Sequence, residues 1–135
     1  MTDSLLERDG FRAYLAAGPK YVGATTIEEQ AWCRWFGAEI YSGAGALVEF
    51  GPWLGSLTAS YCEGLARNPR AAGRTKIAHV YDLFTWSRIF EEWSRGTPHA
   101  GRHAAGESFE AYFLALHAEY ERFLTVVRAD RTDDQ

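Results

Sequence analysis

Apolar residues along this chain recur in two rhythms, one spaced by three and four residues and one of short unbroken runs. The alternation between them predicts the elements. Thr26-Ile27-Glu28-Glu29 has the form of a capping box, in which a Thr hydroxyl and a Glu carboxylate serve the free amides of a helix start. Behind it Ala31, Trp32, Trp35, Phe36 and Ile40 share one helical face as far as about Tyr41, with Gly43 as the C-terminal stop. Leu57, Tyr61 and Leu65 mark a second helix that Asn68-Pro69 ends. Ser108 is placed to cap a third, along which Phe109, Tyr112, Phe113, Leu116 and Tyr120 form an apolar stripe.

The unbroken runs lie between these helices. Ala46-Leu47-Val48-Glu49-Phe50, bounded by Gly45 and Gly51, is too short for a buried helix and reads as a strand. Residues 76–82 (KIAHVYD) and 124–127 read as a second and a third strand. Residues 84–106 lose periodicity and read as a long surface loop around a short helix over 86–93, the kind of loop that is a functional lid or disordered. Residues 1–25 form a lead-in that Gly18-Pro19 interrupts, 26–130 the partial cofactor-binding domain, and 131–135 a polar tail. Helix, then strand-helix-strand-helix-strand, predicts an α/β chain with a parallel sheet and right-handed crossovers.

Composition narrows the picture. The 135 residues are 47% hydrophobic and include five Trp, enough for a packed core and too apolar for a disordered chain. The formal charge of -4 and the scattered basic residues exclude a sequence-independent nucleic-acid binder, which needs a basic face. Cys33 and Cys62 match no paired-cysteine motif and read as reduced, buried thiols. No basic N-terminal segment runs into an apolar stretch, and no apolar run nears the ~20 residues that span a bilayer. A soluble, cytoplasmic protein without a membrane partner is the expectation. His99, His103 and Glu107 lie four apart, a spacing that suits a metal on one helix face, but Pro98, Gly101 and Gly106 break such a helix, and a solvated loop is expected there.

In open parallel sheets a ligand binds beyond the carboxyl ends of the strands. Here the first strand ends at Gly51, and Gly51-Pro52-Trp53-Leu54-Gly55 turns into the next helix. Gly51 lets backbone approach a ligand closely and Gly55 permits a tight helix entry. Ser56 and Thr58 offer hydroxyls beside the free amides of that helix start. Asp82 closes the second strand, where a carboxylate accepts hydrogen bonds from ribose hydroxyls. Asp130, after the third strand, falls where an adenine edge is read. Glu49 sits inside an apolar strand, and a buried carboxylate is costly without a partner.

The segment ALVEFGPWLGSLT, followed by HVYDLF, resembles the cofactor loop of class I S-adenosylmethionine-dependent methyltransferases, most closely the macrocin-type small-molecule O-methyltransferases. The resemblance spans residues 26–130, with 47–84 the specific part. It implies a Rossmann-like sheet and S-adenosylmethionine as cofactor. It puts Glu49 and the turn from Gly51 through Trp53 to Gly55 by the methionine end, Asp82 at the ribose and Asp130 by the adenine, with a small-molecule hydroxyl as methyl acceptor. Two positions depart from the pattern: Trp53 stands where the commoner loop has its middle Gly, and Leu57 where the family has Ser. The family's sheet has seven strands and this chain has material for three. The expectation is therefore a truncated domain, inactive alone, whose first strand has an open edge able to pair with a second copy.

Two other readings use the same residues. A nicotinamide-dependent oxidoreductase needs Gly-x-Gly-x-x-Gly, which Pro52 and Trp53 do not supply. A non-catalytic interaction module would use the sheet edge alone and would have no affinity for a nucleoside.

Overall fold

The computed structural model describes residues 9–18 and 20–129. Helix α1 (Asp9–Ala17) precedes α2 (Ile27–Trp35), whose capping box forms as the sequence requires: the Glu29 amide donates to the Thr26 hydroxyl at 3.1 Å and the Thr26 amide to the Glu29 carboxylate at 2.7 Å. A wider helical turn over 36–40 extends α2. Strand β1 (Leu47–Phe50) then leads into α3 (Ser56–Arg67), β2 (Ala78–Asp82), α4 (Arg88–Ser94), α5 (Glu110–Leu116), a 3-10 turn over 118–123, and β3 (Leu124–Arg128).

The three strands form one parallel sheet in the order β1-β2-β3, with Leu47 opposite Ala78 and Ala78 opposite Leu124. This is the α/β architecture the sequence predicts, a small parallel sheet of the Rossmann-like kind with β1 at one edge. One sheet face, carrying Ala78, Val80 and Leu124, joins Tyr61, Leu65, Phe109 and Phe113 in the main core. By strand alternation Val48, Phe50, His79 and Tyr81 face the other way. Val48 and Phe50 there are 57% and 77% exposed. Phe11, Ala31 and Trp35 form a second, smaller cluster that fastens α1 to α2. Among the described residues no helix is long and apolar enough to cross a membrane.

Two expectations are corrected. The third helix is shorter than its stripe, running over Glu110–Leu116, with the Ser108 hydroxyl accepting the Glu110 amide at 3.4 Å and Ser108 also bridging to Thr85. The helix stops at Leu116 because the His117 ring turns inward to the Leu54 carbonyl, 2.9 Å from Nε2, and the chain continues as a 3-10 turn. Nor is 84–106 a plain surface loop. The Phe109 amide donates to the Phe84 carbonyl, the Trp86 amide to Glu107 and the Gly106 amide to Trp86, pinching the segment shut at its base. Phe84, Trp86 and Phe109, each 1% exposed or less, fill the base with rings. Cys62 is buried and Cys33 half-buried, and both are free thiols; burial pushes Cys33 up to about 12.

Candidate functional site at the strand ends

The carboxyl ends of β1 and β2 meet. The Gly51 amide donates to the Tyr81 carbonyl at 2.9 Å, so the loop leaving β1 runs beside the tip of β2. Gly51 has φ +67, a conformation that favours glycine, and nothing lies within 4 Å of where a side chain would begin. The backbone therefore faces open space at the sequence-predicted point of ligand approach.

Asp82 stands on the same rim. Its Oδ1 accepts the Phe84 amide at 2.9 Å, a local turn that fixes the carboxylate while Phe84 adopts φ 52. Among the described residues Oδ2 accepts no hydrogen bond. Glu49, on the core-side face of β1, accepts on one oxygen, Oε1, from both the Thr58 hydroxyl at 2.5 Å and the Tyr61 hydroxyl at 3.1 Å. Burial pushes the Glu49 carboxyl above the usual range, the two hydroxyls pull it back, and the charge of Asp82 pushes it up again.

The remaining sequence-predicted residues turn inward. Trp53, 5% exposed, stacks on Phe90 at 5.3 Å between ring centroids and meets Trp86 and Trp93 edgewise or tilted. Gly55 is needed for packing: a Cβ there would lie 2.2 Å from His117 Nε2 and 2.8 Å from Phe113. The Ser56 hydroxyl is 2.7 Å from that of Thr25, beneath a lead-in that passes so close that a Cβ on Gly23 would clash with Ser56. Thr58 is fully buried and engaged with Glu49. The start of α3 is thus covered by protein, and the hydroxyls expected to reach a ligand are spent internally. Asp130 lies outside the described residues.

The sequence-predicted residues therefore divide into separate groups. Gly51 and the tip of β2 at Asp82 share one open rim, Glu49 sits behind it in the cleft between α2, α3 and β1, and Trp53, Gly55, Ser56 and Thr58 are packed into the protein. Sequence reasoning missed Tyr61 as the second donor to Glu49; its four-residue spacing from Leu57 marked it only as core. His99 and His103 do not form a metal site. His99 Nδ1 lies 2.5 Å from the Tyr112 hydroxyl and His103 packs on Trp86, and no group of three or more His, Cys, Asp or Glu among the described residues could hold a metal ion.

In comparisons with known proteins, no family model matches the chain, and neither a curated protein nor a solved structure does.

Proposed function

We propose that the rim of Glu49, Gly51 and Asp82 binds the nucleoside of S-adenosylmethionine, and that this chain is the cofactor-binding part of a cytoplasmic methyltransferase acting on a small-molecule hydroxyl. The single observation that carries the reading is the junction of the Gly51 backbone with the tip of β2. It sets an open, left-handed glycine beside a carboxylate that is already oriented by the Phe84 amide and has one oxygen left to accept. Asp82 would take a ribose hydroxyl, and Gly51 would let the ligand lie against backbone. An uncharged ribose suits that carboxylate and a 2′-phosphate does not.

When bound, S-adenosylmethionine supplies a methyl group on a positively charged sulfur. The acidic pair Glu49 and Asp82 gives the rim a sign that favours such a cation. The contribution of these residues to transfer would be orientation of the donor carbon. No described residue is assigned as the base for the acceptor, so this chain alone is expected to bind the cofactor and to transfer no methyl group.

Titration calorimetry tests the reading against the nicotinamide one. S-adenosylhomocysteine is expected to give a saturable heat and NAD none. Saturable binding of NAD without S-adenosylhomocysteine would reverse the assignment.

A further inference from the structure

The outer edge of β1 carries a second set of groups that are unpaired among the described residues, and it shares Glu49 with the rim. The amides of Leu47 and Gly51 point to β2, onto the carbonyls of Ile77 and Tyr81. In a parallel ladder alternate residues face alternate sides, so the amides and carbonyls of Val48 and Phe50 point away from the sheet. Their side chains are the most exposed large apolar groups among the described residues, at 57% and 77%. On the core side of the same edge is a cleft of about 230 Å³ between α2, α3 and β1, walled by Trp32, Phe36, Leu47 and Leu57 and bearing Glu49.

The acid of that cleft has one oxygen to spare. Thr58 and Tyr61 both donate to Glu49 Oε1, and among the described residues Oε2 accepts no hydrogen bond and no ion pair reaches the carboxyl. A carboxylate in apolar surroundings favours an occupant that brings a positive charge.

We propose that the β1 edge binds an extended polypeptide segment that adds as a fourth strand and places a Lys or Arg side chain against Glu49 Oε2. A strand supplies what neither a helix nor a small molecule does: amides and carbonyls in register with those of Val48 and Phe50. The residue directly opposite Glu49 points to the same face and into the cleft, within reach of Oε2. Its two neighbours face the other side, beside Val48 and Phe50, and are best apolar. A second copy of β1 is a poor occupant. Two-fold antiparallel pairing through Val48 and Phe50 sets Glu49 against Leu47, Glu49 or Gly51 of the copy, and none brings a cation.

The test is a chemical-shift titration of the whole chain with the blocked peptide Thr-Val-Lys-Val-Thr and its norleucine counterpart. Saturable shifts of the Val48 and Phe50 amides are expected, with the Lys peptide bound roughly tenfold more tightly, the size of a charge-assisted hydrogen bond. Glu49→Gln is expected to erase the difference between the peptides and keep the shifts. Equal affinity for the two peptides on the unaltered chain, no saturation, or shifts centred on β3 would overturn the proposal, and none of these depends on how the variant folds. Asp82→Asn is expected to keep saturable shifts of the Val48 and Phe50 amides with the Lys peptide while weakening S-adenosylhomocysteine, which separates this result from the fate of the nucleoside reading.

Discussion

Glu49 and Asp82 stand on neighbouring parallel strands with their side chains on one face: Glu49 is opposite Val80, and Asp82 lies two residues further along. Burial lifts the Glu49 carboxyl first, and the charge of Asp82 lifts it further. The relationship has consequences for stability as well as for binding.

A carboxyl raised in the folded chain favours folding when protonated. Its contribution is fully present below the unfolded value of ~4.3 and is lost as pH rises through the higher folded value. The chain should therefore lose part of its stability across that interval. Glu49→Gln, which keeps an acceptor for Thr58 and Tyr61, should remove that part of the pH dependence and gain on the parent as pH rises. Urea midpoints of both proteins at a series of pH values measure this. A constant difference at all pH values would show that Glu49 does not titrate as described.

The two loop glycines should respond differently. Gly51→Ala meets open space and carries only the left-handed backbone cost of about 1–2 kcal/mol. Gly55→Ala adds a clash with His117 and Phe113 and should cost about 2–5 kcal/mol. Denaturation of the two variants compares them directly; equal losses would mean that the His117 contact does not constrain the loop.

Trp53 is expected to act through stability. Trp53→Ala empties the middle of a cluster with Trp86, Phe90 and Trp93 and should cost about 3–5 kcal/mol. Trp53→Phe, which keeps a ring, should cost much less. Thermal unfolding of the two variants reads this, and an alanine variant as stable as the parent would remove Trp53 from the core.

Much of the fold was legible because each strand is a short apolar run closed by turn residues, and each of the three main helices has its own start signal or stripe. What escaped depended on long-range contacts. The third helix reads as continuous to Tyr120, and only the reach of His117 to Leu54, 63 residues away, stops it. The acid at the end of each of the first two strands was legible because parallel topology puts strand ends on one rim. Ser56 and Thr58 read as ligand donors because they open a helix, yet Thr25 and Glu49 claim their hydroxyls. Trp53 sits between the two glycines of the loop, and nothing local reveals that Phe90 and Trp93 close around it.

In the proposed reading Gly51 and Asp82 face one nucleoside. Its most direct measurement is an NMR titration with S-adenosylhomocysteine, following the Gly51 and Phe84 amides in the parent chain and in Asp82→Ala. Both amides should shift together and saturate in the parent, and the variant should bind at least about tenfold more weakly, the loss of one charge-assisted hydrogen bond. Unmoved amides at saturating ligand, or equal affinity in the variant, would contradict it.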